Sequence, residues 1–335
     1  MAVTVHRSAW LVALTVVTGS VAAGNTPAHG QGAAPRAAPA PAIETIQIRP
    51  NLYVIFSAGG NVVMQTGEDG VILVDSGAGP TAEQVAAEIR KVTTDPIRLI
   101  INTSADPDHV GGNQRLASEG ATINPNAFNA GAENAAVVAH ENVLNRMSAP
   151  TGQESAFPIG TWPTETYIAR IKSMYLNDEG IQVMHQPAAH SDGDSIVFFR
   201  RADVIATGDI FDLRQFPVID AAAGGTIQGE LEALNRLLDL AIPAVPLLHK
   251  PGRTYLVPGH GRIADHADLV EYRDMVTIIR DRIKSMVDKK MTLEQVKAAN
   301  PTLGYRARYG SDSGPWTTDM FVEAIYNELR GTGRS

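Results

Sequence analysis

Five residues of this 335-residue chain have the types and neighbours of a metal site. Asp108 and His109 stand side by side in TSADPDHVGGN (103–113), directly after the apolar run IRLIIN (97–102). Far along the chain, His190 precedes DSIVFFR (194–200), Asp209 ends VIATGD (204–209), and His260 closes TYLVPGH (254–260). Imidazole and carboxylate together suit a borderline divalent ion such as zinc, with iron or manganese as alternatives. The chain has no cysteine, so thiolate ligands, thiolate nucleophiles, disulfides and a lipid-anchored cysteine are all excluded. Each residue alone has a plainer reading, since Asp beside Gly makes turns and a loop His is usually a surface or hydrogen-bonded residue. What singles out these five is that each sits at the edge of an apolar run. Loops at one edge of a sheet converge in space.

The runs themselves alternate in kind. LYVIFS (52–57), NVVMQ (61–65) and VILVD (71–75) read as strands; TAEQVAAEIRKV (81–92) has helical spacing, with Thr81 placed as its cap. A short buried strand at 97–102 follows, and Gly111–Gly112 allow a tight turn into the next helix. ENAAVVAHENVLNR (133–146) reads as a helix within the otherwise opaque stretch 120–177. Strands return at 181–184, 194–200, 204–207 and 255–257. A helix at 229–240 places Leu231, Leu234, Leu237 and Leu238 on one face. Two or three more helices are expected after His266. Strand and helix in this order predict an α/β layer structure.

The charge is −8, and no basic run interrupts it, which disfavours nucleic acid and anionic membranes as partners. Arg7, the apolar stretch AWLVALTVV (9–17) and small residues at 21–23 read as a signal peptide over 1–23. An uncleaved anchor is the alternative. Residues 24–42 are Ala-, Pro- and Gly-rich without periodicity and read as a disordered linker. The expected product is periplasmic or secreted, with no stable membrane span after cleavage and a small-molecule substrate.

Six motifs in order, GGN (59–61), VDSG (74–77), the DHVGGN loop (108–113), HSDGDS (190–195), TGDIF (207–211) and VPGHG (257–261), resemble the metallo-β-lactamase superfamily over about residues 43–270. The resemblance implies a four-layer αββα sandwich with metals at one edge of the facing sheets. Residues 271–335 are then helices packing on the same domain. It also implies hydrolysis by a metal-bound hydroxide on a β-lactam, lactone or related ester, with Asp108 orienting the water and shuttling its proton. One metal position is implied to be whole, with Asp108, His109 and His260 as ligands and Asp209 bridging. The other keeps His190 and the Asp209 bridge. The family loop T-H-x-H-x-D-H is departed from here: Ser104 and Asp106 stand where the family has histidines. Asp106 is a possible replacement ligand, as in the flavodiiron branch; Ser104, a neutral hydroxyl, is a poor one. One metal, two metals, or a site too weak to work all follow from that loop. An added carboxylate lowers the site's positive charge, so a bound water is expected to have a pKa above about 7.

Other schemes lack their residues. GSDSG (310–314) is no nucleophile elbow, and His140–Glu141 has Leu144 where a zinc-protease helix needs its second His. His140 and His185 read as structural, His249 and His266 as surface residues. The rival readings are a metal- or ligand-binding protein that has lost catalysis and, more remotely, a diiron redox protein.

Overall fold

The computed structural model describes residues 43–122, 134–149, 153–245 and 252–332. The expected signal peptide, the linker and His249 lie outside the described residues.

Seven strands form one sheet in chain order: β1 (Glu44–Arg49), β2 (Leu52–Ala58), β3 (Gly60–Gln65), β4 (Val71–Val74), β5 (Ile97–Ile101), β6 (Ala136–His140) and β7 (Glu165–Tyr167). Pairing is antiparallel from β1 to β4 and parallel from β4 to β7. Between the parallel strands lie α1 (Ala82–Val92), α2 (Pro107–Val110), α3 (Asn113–Ala117) and α4 (Glu141–Met147). The second sheet has five strands: β8 (Ile171–Leu176), β9 (Glu179–His185), β10 (Ser195–Phe199), β11 (Val204–Asp212) and β12 (Tyr255–His260), in the order β12-β11-β10-β9-β8. Only β11 and β12 run parallel in it. Helices α5 (Ile227–Leu240), α6 (His266–Asp288), α7 (Leu293–Ala298), α8 (Arg306–Tyr309) and α9 (Thr318–Thr332) complete the described chain. Among the described residues, no helix is long and apolar enough to cross a membrane.

The two-residue period of a strand sorts side chains into layers. Along β4, Ile72 and Val74 enter the space between the sheets, while Val71 and Leu73 face the helices. Both faces are buried, so VILV reads as an unbroken apolar run. Between the sheets, Val54, Leu99 and Ile101 meet Val183, Phe199 and Val257. Val85, Ile89 and Leu116 of α1 and α3 cover the outer face of the first sheet. Leu231, Leu234, Tyr272, Met275 and Phe321 of α5, α6 and α9 cover the second. The layers are helix, sheet, sheet, helix, a four-layer αββα sandwich. α6 passes through residue 270 without interruption.

Several local expectations are corrected. The helix expected over 133–146 is a strand, β6, followed by a short helix, α4; Val137 and Val138 sit in the parallel ladder beside β5, where β-branched side chains pack well. Thr81 is helical and makes no cap; its hydroxyl donates to the carbonyls of Ala58 and Ala78 instead. Gly111 and Gly112 do turn the chain into α3 as expected, with ordinary right-handed backbones. Gly112 is needed for closeness, since a Cβ there would stand 2.2 Å from the Ser76 carbonyl. The tail carries four helices among the described residues, one of them the single turn α8.

Candidate metal centre

Each candidate is delivered by an element end. β5 runs into a bent loop, 102–106, that ends with Asp106 in an extended conformation, and Pro107 opens α2, where its missing N–H costs nothing. That turn presents Asp108 outward and buries His109 fully. Asp209 lies inside β11, where its pairing with β12 slips and Gly208 takes a left-handed backbone (φ +54°). Gly259 lets the two strands close there, since a Cβ would stand 2.4 Å from Asp209 Oδ1. Asn61, of the GGN motif, clamps the turn around His260 by donating to the carbonyls of Pro258 and Gly261, both at 2.9 Å.

The six residues named from sequence come together in two groups. Asp108, His109 and His260 form one, and Asp106, His190 and Asp209 the other; within each group the donor atoms lie within 4.8 Å of one another. Asp209 Oδ1 stands 3.2 Å from His109 Nε2 and 3.5 Å from His260 Nε2, between the groups. His260 Nε2 is 3.1 Å from Asp108 Oδ2, and His190 Nδ1 is 3.7 Å from Asp106 Oδ2. His109 Nε2, His190 Nδ1 and Asp209 Oδ1 are buried without a hydrogen-bond partner. Buried polar atoms are normally paired, so three orphans converging on one place fit a cation that takes up their lone pairs. Ser104 is buried, and its Oγ accepts from the Asp106 N–H at 3.2 Å, which shapes the loop.

Burial and mutual charge set the protonation of the cluster. Burial alone raises the Asp209 carboxyl, but His109, His260 and His190 outweigh it and hold the carboxyl far below its ordinary range. Burial lowers His109, yet Asp209 and Asp75 carry it well above its ordinary value. His190 is likewise lifted to about 10, by Asp194, Asp106 and Asp209 against burial. Burial pushes Asp106 up, with His190 opposing. Asp108 is lowered because His260 and His109 overcome its burial. Without an ion, protonated imidazoles thus balance the carboxylates. Metal ligation needs those imidazoles neutral, so an ion must displace their protons.

Two further carboxylates shape the site, and sequence reading gave neither a role. Asp75 has a left-handed backbone (φ +63°). Its oxygens accept from Thr103 N–H and Oγ1 and lie 2.7 Å from His109 Nδ1, which leaves Nε2 to face the site. Asp194 accepts from Ser191 N–H and Oγ and stands 3.6 Å from His190 Nδ1. A lone acid ending the apolar run VILV was the available signal for Asp75.

Residues 58–124 match the family model described as Metallo-beta-lactamase superfamily. Among solved structures, the stereoselective inverting sec-alkylsulfatase Pisa1 from Pseudomonas sp. is similar at 15% identity and TM-score 0.63, over 85% of this chain and 50% of that one. A metallo-β-lactamase from Pontibacter korlensis is similar at 17% identity and TM-score 0.52, over 70% of this chain and 99% of that one. This chain therefore spans about half the length of the alkylsulfatase. No curated protein matches. The chain thus shares the fold of these alkylsulfatase and metallo-β-lactamase structures, and its segment 58–124 matches the model of the metallo-β-lactamase superfamily.

Proposed function

We propose that this chain is an exported, metal-dependent hydrolase of a carbonyl-type small molecule, a lactam, a lactone or a related ester. Asp108, His109 and His260 hold one divalent ion, Asp106 and His190 a second, and Asp209 lies between them. The observation that carries this reading is the convergence of the three orphaned donors His109 Nε2, His190 Nδ1 and Asp209 Oδ1. Zinc is the proposed metal; the carboxylate-rich second position also suits iron or manganese. A bound divalent ion supplies a Lewis acid and makes water acidic enough to attack. The protein's own part is orientation and proton transfer. Asp75 fixes the His109 ring, and Asp194 flanks that of His190. Asp108, like Asp106, is partly exposed; with its Oδ2 beside His260, its Oδ1 is left to take a proton from water and return it to the leaving group.

The first test is metal content per purified chain for zinc, iron and manganese together. Two equivalents, falling to one in Asp106→Ala, are expected. One equivalent, indifferent to that substitution, would remove Asp106 from the ligand set. The second reading, a binding protein without turnover, is favoured by the loss of both loop imidazoles at Ser104 and Asp106. Hydrolysis of a chromogenic lactam or lactone excludes it.

A further inference from the structure

His140 ends β6 in the first sheet and His185 ends β9 in the second, and their rings stack face to face with centroids 3.5 Å apart and planes 9° from parallel. Both rings are tied by hydrogen bonds, and the one that His140 accepts requires its Nδ1 to be unprotonated. His140 Nδ1 accepts from the Asn142 N–H, capping α4. His185 Nε2 donates to the Asp192 carbonyl at 2.8 Å. Asp192 belongs to the loop 190–194, which seats His190. Asn142 Nδ2 donates to the same carbonyl at 2.9 Å, and Arg146 pairs with the Asp192 carboxylate. Gly193 lies against Val143 of α4. From the other side, the Ser195 N–H reaches the Thr103 carbonyl at 2.8 Å. The loop is therefore fastened to the first sheet largely through β6, α4 and the stacked pair.

A proton on His140 Nδ1 would face the Asn142 N–H donor to donor, and a proton on each ring would set two positive charges in van der Waals contact. Burial and then His185 hold His140 down at about 4, against the Ile168 backbone and Asp192. The other charged or titratable groups around the pair are Arg146 of α4, Tyr167 of β7, edge-on to His140, and Arg170 before β8. Across a groove beside His185, α5 contributes Glu232, Arg236 and Asp239.

We propose that the His140–His185 stack is an acid-released latch on the loop that seats His190. Neutral, it holds Asp192 and closes the loop onto α4; on proton uptake it comes apart and the loop is freed. The latch is a property of the chain itself and does not depend on whether the neighbouring site hydrolyses anything. A histidine held below its unfolded value favours proton uptake on opening, so closure is complete above about pH 6.5 and weakens as pH falls toward about 4.

The test is hydrogen exchange of the metal-stripped full chain from pH 4 to 8, with protection corrected for the intrinsic pH dependence of exchange. Protection over 190–195 is expected to fall by up to about tenfold per pH unit for each proton taken up below pH 6.5, while β5 keeps its own. His140→Asn keeps a cap-competent side chain without a ring, and its loop protection is expected to be independent of pH. His185→Phe keeps a stacking ring that takes no proton, and its slope is expected to be shallower. Protection in the unsubstituted chain that does not change with pH overturns the proposal, as does an unchanged slope in the variants. Should His140→Asn not fold, an unchanged slope in His185→Phe alone is decisive.

Discussion

Asp75 is not itself in either donor group, yet its contact with His109 Nδ1 decides which nitrogen of that ring is free. Replacing Asp75 with Asn presents an amide where a carboxylate now receives His109 Nδ1 and Thr103. Loss of such an orienting partner typically weakens metal affinity about 10- to 100-fold. Competition with a chromogenic chelator is expected to show that loss in Asp75→Asn. His190 gives a pH dependence of the opposite sense to the latch. Its folded pKa is raised to about 10, so its contribution to the ion-free protein is whole below about pH 6.5 and is lost as pH climbs toward 10. The thermal midpoint of the stripped chain is expected to drop over that range. A metal-loaded protein in which His190 is a ligand, as proposed, would hold that ring neutral and is not expected to follow it. Five of the six candidates are visible in sequence as donor residues at the edges of apolar runs, and Asp106 only through the resemblance of its loop to the family pattern. Asp75 and Asp194 were not given roles because what distinguishes them is burial against one imidazole, a relation no local pattern carries.

At the level of elements, legibility followed how completely each one is decided locally. α1 was plain, with Val85 and Ile89 one turn apart against the sheet. β6 was misread because AVVAH continues into ENVLNRM without a breaker, and only the neighbours β5 and β7 make it a strand. β11 was read too short because it carries a Gly and an Asp through a register slip. β5 supports the whole metal loop, and its Ile101 is fully buried between the sheets. Ile101→Ala is expected to cost about 2–5 kcal/mol in denaturant unfolding. Gly112→Ala is expected to destabilise the chain and reduce bound metal together, because a Cβ placed 2.2 Å from the Ser76 carbonyl must push α2 and α3 off the sheet.

At the level of the molecule, the outer helix layer on the second sheet is part of the core. Tyr272, Met275 and Phe321 lie with Ile205, Ile210 and Leu256 in one buried cluster. Ending the chain at Asp265 would leave α5 alone to cover that sheet face and expose the part packed by α6 and α9. The truncated chain is expected to aggregate or to unfold without a cooperative transition, as dye binding to exposed apolar surface would reveal.

The strand order bears on how the protein comes into being. β1 to β7 build the first sheet and β8 to β12 the second, so among the described residues the strands pass from one sheet to the other once, after Tyr167. Asp106, Asp108 and His109 emerge before that crossing, and His190, Asp209 and His260 after it. Neither half alone has a complete set of donors for either group. During synthesis, neither proposed ion position would have its full set of donors until the second sheet has docked. If the proposed site holds an ion, two separately made halves would bind it fully only by finding each other, so its uptake would report a finished sandwich.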